Sequence, residues 1–413
     1  MRIEFEGLSA IVEVPDNPAF LAALRGASPG WPFSQTARTG EPAATVREIA
    51  GGFALRSPWQ EATFVEPSAV RAACSIVVDV VTSHIAEHPS RLCLHCGSAV
   101  VGGRLVVFPS RSHAGKSTLI ARLAADGCQI YGDDVLPLDE ADRSGIAMGL
   151  APRLRLPLPA SASPAFRRFV AANAGPSDGR YHYLSLPGDG LAARGVATPL
   201  GAIVLLDRRS SGPAHLGPAR RADALKALIS QNFARGAPAG ELLARLHALM
   251  ARLPGFTLAY SDLDEAAALI GETFATWPPR PDPARWRAGL VPAWGGETNE
   301  RDGDPHEAAA RPLPAIDPGR RWRRNPAVTL KTVDGETFLA TPGDASILHL
   351  NAVGTGLWNL LAEGIDREEA VAVLHGAFPD ADRTEIERDV TALLTTLAAA
   401  DLIVPEEDAP KNC

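Results

Sequence analysis

Apolar residues recur at period two in the opening stretch MRIEFEGLSAIVEV, which predicts short strands and not a signal segment. Residues 1–65 continue as strands and turns, with Trp31-Pro32-Phe33 at a turn, and predict a small β-rich lobe. From residue 67 to 88 the spacing turns helical. The run Leu105, Val106, Val107, Phe108 then predicts a buried strand, and Leu119, Ile120, Leu123 and Ala124 recur on one helical face. A second apolar strand ends at Asp133-Asp134. Further on, the pattern predicts a strand over 202–206, helices over 222–234 and 239–252, a strand over 256–260 and a helix over 263–274.

Between 278 and 318 the pattern dissolves into proline, glycine and charge (PPRPDP, ETNERDGDPHEAAARPLP), a composition too poor in apolar surface to order itself, so a flexible tether is expected. Apolar spacing resumes at Asn325. Val328 to Val333 and Glu336 to Thr341 flank Asp334-Gly335, which predicts a tight hairpin. The segment DASILHLNAVGTGLWNLLAEG supplies Ile347, Leu348, Leu350, Leu357, Trp358, Leu360 and Leu361 to a first helical region. Asp366-Arg367-Glu368-Glu369 and Asp382-Arg383-Thr384-Glu385 each have the form of a capping box opening a further helix. Leu402-Ile403-Val404 predicts a last strand. The boundaries that follow are a lobe at 1–65, a core at 66–277, a linker at 278–322 and a terminal domain at 323–408.

The chemistry concentrates between Leu92 and Leu138. Strand, loop, helix, strand and acidic pair in that order form one mechanism for holding a triphosphate with its metal. Loop and helix-start residues Ser110, His113, Ala114, Gly115, Lys116, Ser117 and Thr118 are the candidate nucleotide contacts. Backbone N–H groups at a helix start favour anionic phosphate, and Lys116 can place its ammonium between the outer phosphates. Ser117 can offer a hydroxyl to Mg²⁺, with a strand-end carboxylate completing the metal's surroundings. The glycine a phosphate loop wants five positions before Gly115 is Ser110, which predicts a turn of altered shape. Two carboxylates together suit phosphoryl transfer: one serves the metal while the other accepts the proton of the attacking hydroxyl.

His95, AGKST and Asp133-Asp134 resemble the catalytic core of the HPr kinase/phosphorylase family, an α/β P-loop kinase fold. The resemblance implies Lys116 and Ser117 as phosphate and Mg²⁺ contacts, Asp133 as proton acceptor, Asp134 as a metal-side carboxylate and His95 as a polar neighbour of the reacting phosphate. Departures are visible. The family's His-Gly pair reads His95-Cys96 here, with Gly97 one place later; its Glu after the loop Ser is Thr118; and its later signature segment has no counterpart. They point to a diverged HPr-kinase-like kinase. Arg153 and Arg155 in APRLRLPLP, on one face by alternation, are candidate phosphate or substrate contacts, and Arg208-Arg209 after strand 202–206 form a second candidate pair. The stretch 160–190, with Tyr181-His182-Tyr183, is expected as a loop able to close over the acceptor.

Residues 325–405, with Leu350-Asn351-Ala352-Val353-Gly354 and Leu357-Trp358, resemble the PqqD family of small winged-helix domains. The resemblance implies recognition of the leader of a ribosomally made precursor peptide, added as a strand to a sheet edge. That edge is expected near Thr337, Phe338 and Leu339, beside Leu394 of the third helix. The basic knot Arg320, Arg321, Arg323, Arg324 around Trp322 is expected as a solvated linker end, with an acidic peptide tail as its functional alternative.

A net charge of −8 and no basic recognition helix argue against nucleic acid. With 46% hydrophobic residues in 413, cores for two or three domains are available. No uninterrupted apolar run of membrane-spanning length is present, so no membrane association is expected and the location is expected to be cytoplasmic. Cys93 and Cys96 form a C-x-x-C without a second pair, which argues against zinc or redox chemistry. The sequence leaves a homo-oligomer open. The expectation for the whole is an ATP- and Mg²⁺-dependent kinase acting on a Ser or Thr hydroxyl of a precursor peptide, whose captured leader raises its local concentration. A small-molecule kinase and a nucleotide-gated peptide carrier are the alternatives.

Overall fold

The computed structural model describes residues 1–59, 62–110, 114–141, 143–233, 236–277, 317, 319–342 and 346–406. His113 and almost all of the expected tether lie outside these residues. The chain divides into two compact units, Met1–Gly236 with Leu249–Trp286 and Ala237–Ala248 with Arg287–Cys413.

The first unit opens with β1 (Arg2–Phe5), β2 (Ile11–Glu13), α1 (Pro18–Ala27), β3 (Phe33–Gln35), β4 (Ala44–Ile49), β5 (Gly52–Arg56) and β6 (Phe64–Glu66). The strands form one sheet in the order β3-β1-β2-β4-β5-β6. Helix α1 departs from the all-strand expectation. Asn17 caps it by accepting the Phe20 N–H, and Pro18 sits in its first turn, where a missing N–H costs nothing. Helix α2 (Ala69–Glu87) follows, capped by Ser68, and packs Ile76 and Val80 against Phe5, Trp31 and Leu55. By length and composition α2 could cross a membrane; half of its most apolar window is buried in this fold. The same core continues into Cys93, Val135, Met148 and Tyr183, so the lobe shares its apolar interior with the chemistry-bearing region.

That region runs β7 (Cys93–Leu94), β8 (Gly97–Val101), β9 (Arg104–Phe108), α3 (Lys116–Ala125), β10 (Ile130–Gly132), β11 (Leu136–Asp139) and β12 (Ser144–Ile146). It continues through β13 (Arg153–Arg155), α4 (Pro164–Ala172), β14 (Ala174–Ser177), β15 (Tyr181–Leu184), β16 (Ala197–Arg208), β17 (His215–Pro218), α5 (Arg221–Ser230), α6 (Ala239–Arg252), whose residues up to Ala248 count with the second unit, β18 (Gly255–Tyr260) and α7 (Leu263–Ala275). The main sheet has the order β10-β8-β9-β16-β12-β11-β7, and β18 lies parallel to β16. Helix α3 buries Leu119, Ile120 and Leu123 against Ala99, Val106 and Val204. Gly97 permits this approach: a Cβ there would stand 2.8 Å from the Ile120 side chain. Arg122 ties α3 to Asp264 of α7. The expected loop at 160–190 is ordered instead. Apolar Phe166 and Val170 of α4 pack on Leu154 and Leu184, and β13-β15-β14 make a small sheet that buries Tyr183.

In the second unit β19 (Trp322–Arg324), β20 (Thr329–Val333), β21 (Glu336–Ala340), β22 (Ile347–Leu350), α8 (Ala352–Leu360), α9 (Arg367–Ala377), α10 (Arg383–Ala399) and β23 (Ile403–Pro405) follow in turn. Asp334 at φ 51° and Gly335 at φ 80° make the hairpin turn, whose left-handed pair matches strand twist. Asp366 and Glu369 form the full capping box; Asp382 caps the Thr384 N–H while Glu385 faces Arg388. Three expectations are corrected here. Ile347–Leu350 is a strand and not helix, because its apolar residues pair along the hairpin as a third strand. Thr337, Phe338 and Leu339 therefore lie on the central strand, paired on both sides and buried, with no free backbone to offer a peptide. Leu394 is wholly buried among Leu357, Trp358, Val390 and Leu397, a core residue. The basic knot is structural too. Arg321 pairs with Glu369 and Glu406, Arg324 donates to the Trp358 carbonyl at 2.7 Å, and Trp322 is buried where β19 pairs with β23.

Two tests of this packing follow. Leu394→Ala should cost this unit about 2–5 kcal/mol, seen as a lowered unfolding midpoint in calorimetry. In α2, burial pushes the Asp79 carboxyl up to about 6, with the nearby Ser57 opposing this only in part. A carboxyl raised on folding binds its proton more tightly folded, so its contribution is whole below about pH 4 and is lost as pH rises through about 6. Asp79→Asn should therefore raise stability on the order of 2 kcal/mol at pH 8 and leave it nearly unchanged at pH 4, measured by thermal unfolding at both.

Candidate functional site

Between β9 and α3 the described loop residues are Ser110, Ala114 and Gly115, the last two directly before α3. Gly115 is the helix N-cap at φ 92°, a left-handed geometry that glycine adopts freely. Tyr260, from the end of β18, donates its hydroxyl to the Ala114 carbonyl at 3.3 Å. Lys116 is the first helical residue and is buried; its ammonium reaches back to the Ser110 carbonyl. Burial pulls the Lys116 pKa down, opposed by Asp134, Cys96 and Asp133 nearby. Ser110 keeps φ out of the left-handed region, and its hydroxyl accepts the Leu206 N–H at 3.3 Å. The serine thus ties the turn to β16, a use that glycine could not serve.

Strand β10 delivers the acidic pair. Gly132, at φ 154° beside a bulge against β8, lets the chain turn so that both carboxylates reach the same region. Asp133 is buried, and burial together with the charge of Asp134 pushes its carboxyl up; a hydrogen bond with Ser117 and the Arg153 charge oppose this. The Arg153 N–H donates to Asp133 at 3.2 Å. Asp134 moves the other way. Its surroundings also work against charge, but the His95 hydrogen bond and the positive charges of Arg153 and Lys116 hold it below the usual carboxylate range. His95 Nε2 stands 2.7 Å from Asp134 Oδ1, between β7 and β8, with Phe233 stacked on its ring at 5.4 Å. Two neighbouring acids are thus driven apart, one toward holding a proton and one toward staying ionised.

Lys116, Ser117, Asp133, Asp134, His95 and Arg153 come together here, along with Ser110, Ala114, Gly115 and Thr118. Ser117, expected beside Asp134, hydrogen-bonds Asp133. Arg155, two residues beyond Arg153, is exposed. Arg153 is held by Cys74 of α2 and lies over the Tyr181 ring at 4.6 Å. Arg209 pairs with Asp207 at 2.9 Å, while Arg208 lines a crevice with Gly115, Thr118 and Tyr260. Pattern reading missed Cys74, Tyr260 and Gln231. Gln231 fell inside a helix drawn to residue 234, whereas α5 stops at Ser230. Cys93 and Cys96 are buried free thiols, and burial pushes the Cys93 thiol up to about 12 and Cys96 higher still, so neither supplies a reactive thiolate.

Among the described residues no group of three or more His, Cys, Asp or Glu side chains could hold a metal ion by itself. The oxygens of Ser117, Asp133 and Asp134 nonetheless form a hard donor set. Magnesium uses such a set when most of its remaining shell is water and phosphate.

One family model, that of coenzyme PQQ synthesis protein D (PqqD), matches residues 336–403. Among solved structures the chain is similar to TbiB1 in complex with the TbiA(beta) leader peptide, with 31% identity over 21% of this chain and 99% of that chain and a TM-score of 0.19. It is also similar to the Hpr(Ser) kinase/phosphatase from Coxiella burnetii, with 14% identity over 44% of this chain and 91% of that chain and a TM-score of 0.23. No curated protein matches.

The loop geometry is open to a direct check. A Cβ on Gly115 would stand 2.7 Å from the Tyr260 hydroxyl, at a φ that side chains resist. Gly115→Ala should lose about 1–2 kcal/mol in thermal unfolding. Adding Tyr260→Phe, which removes the opposing oxygen, should restore part of that loss.

Proposed function

From a chain whose C-terminal segment 336–403 belongs to the PqqD family, we propose an ATP- and Mg²⁺-dependent kinase with an HPr-kinase-like P-loop core and a winged-helix PqqD domain. It moves the γ-phosphoryl group of ATP to a Ser or Thr hydroxyl on a ribosomally made precursor peptide, releasing ADP. The observation that carries this reading is the convergence of Lys116, Ser117, His95 and Arg153 on two carboxylates whose proton affinities are driven apart.

The loop amides at the start of α3 and the Lys116 ammonium neutralise the outer phosphates. Asp133, buried and raised, accepts the proton of the attacking hydroxyl as that oxygen bonds to phosphorus and the bond to the ADP oxygen breaks. His95 orients Asp134 and keeps it ionised. Ser117 and Asp134 would hold magnesium, which would supply further charge neutralisation at the phosphates. Arg153, gripped by Cys74 and Tyr181, places a fixed positive charge near the same carboxylates.

The peptide edge proposed from sequence moves from β21 to β22. There Ile347, Leu348 and His349 are half-buried, and Leu348 packs onto the domain core that also takes Ile386 and Leu393 of α10. A leader strand adding at this edge gains backbone hydrogen bonds, with side-chain pockets setting register.

Labelled ATP with peptides encoded beside this gene tests the reading: label should appear on a peptide Ser or Thr. Label on a metabolite would indicate a small-molecule kinase, and label on neither, with nucleotide still bound, a nucleotide-gated carrier. Asp133→Asn should abolish transfer while nucleotide binding in calorimetry persists. Because transfer needs Asp133 ionised, its rate should climb with pH through a value above the usual carboxylate range and then level off. A rate flat from pH 4 upward would remove Asp133 from the role of base.

A further inference from the structure

Gln231 belongs to no motif, yet its backbone and side chain both meet His95 behind the acidic pair. It is the C-cap of α5 and is 9% exposed. Its backbone carbonyl accepts the His95 N–H at 2.6 Å, and the Phe233 N–H donates to the Cys93 carbonyl at 2.8 Å. Between these bonds Leu94 and Asn232 form an antiparallel bridge. Residues 231–233 therefore act as a short partner strand for 93–95, fixing the His95 backbone, while the Phe233 ring lies nearly flat on the imidazole, tilted by 16°.

The side chain adds a chemical constraint. Its amide end faces His95 Nδ1, the Ser110 carbonyl and the His95 carbonyl, each at 3.2 Å. Two of these are carbonyl oxygens, which can only accept. The amide must turn its NH₂ toward them, because the opposite orientation would set oxygen against oxygen in a buried place. With the NH₂ facing Nδ1, that ring nitrogen is an acceptor, and the proton of the neutral ring resides on Nε2. Nε2 is the atom 2.7 Å from Asp134. The Ser110 carbonyl that receives Gln231 also receives the Lys116 ammonium. An unbroken run of polar contacts then links Lys116, Ser110, Gln231, His95 and Asp134.

We infer that Gln231 is a positioning residue: it imposes the Nε2–H tautomer on His95, so that the ring donates to Asp134, and anchors that choice to the phosphate loop through Ser110. A histidine's second nitrogen commonly has its role set in this way. The consequence for phosphoryl transfer rests on the kinase reading; the tautomer assignment stands on the geometry alone.

Nitrogen-15 spectra of the full chain labelled at histidine, correlating ring carbon protons with both ring nitrogens, read the tautomer directly. His95→Asn identifies the His95 signals among the ten histidines. The expected wild-type spectrum shows protonated Nε2 and bare Nδ1. Gln231→Leu should lose this bias and populate the Nδ1–H form, while signals of the buried His84 stay in place and report an intact fold. A wild-type ring protonated on Nδ1 overturns the inference, and so does a Gln231→Leu protein with unchanged tautomer. Should Gln231→Leu fail to fold, the wild-type spectrum and the isosteric Gln231→Met still decide. In transfer assays the variant should lower kcat about 100-fold with nucleotide affinity retained, the size expected for a misplaced catalytic group. A wild-type protein that shows the Nε2–H form but transfers no phosphate supports the Gln231 assignment and removes the kinase reading.

Discussion

Two adjacent carboxylates at a strand end, Asp133 buried and Asp134 half-exposed, repel each other, and the groups around them answer that repulsion. For the buried Asp133 ionisation is costly without positive charge close by. The chain brings three donors from three places: Lys116 from the first turn of α3, His95 from the link between β7 and β8, and Arg153 from β13. Their distribution is uneven. Asp134 receives the His95 hydrogen bond and falls, while Asp133 receives a backbone N–H and a serine hydroxyl, and burial prevails. The opposite shifts of the two carboxyls are therefore a consequence of where these donors stand, since the two residues are identical in type and neighbours in sequence.

Holding those donors in place explains features remote from the pair. Gly97 lets α3 lie close on the sheet, and the Arg122–Asp264 pair locks the same helix to α7, so Lys116 starts from a fixed backbone. Arg153 depends on Cys74, which α2 supplies, and on the Tyr181 ring of the small sheet beside it. Helix α2 is also the inner wall of the N-terminal lobe. The lobe thus reaches the chemistry through shared packing, and Val135, directly after the acidic pair, belongs to the same apolar cluster as Phe5 and Trp31.

The terminal domain shows how local pattern and pairing diverge. Asp334-Gly335, the first capping box and the three helices were legible because each is a local device with its own residue signature. The third strand was not. Ile347-Leu348-His349-Leu350 carries apolar residues at spacings that suit helix or strand, and only the neighbouring strand β21 decides between them. That decision relocates the open sheet edge and turns Thr337, Phe338 and Leu339 from contacts into core. The arginines around Trp322 were misjudged for a related reason: Glu369, Glu406 and the Trp358 carbonyl lie far along the chain.

The amino-acid order by itself determined the succession of strand, loop, helix, strand and acidic pair, and the PqqD-like pattern of the C-terminal segment. These are properties of short segments, in which spacing and residue type suffice. Only the tertiary structure decided which acid stays ionised, which arginine of the pair Arg153 and Arg155 faces it, that Ser110 binds β16, and that Gln231 stands behind His95. Each of these depends on distances between residues remote in sequence. Electrostatics and hydrogen bonding act over a few ångströms of space, whatever the number of residues between the partners.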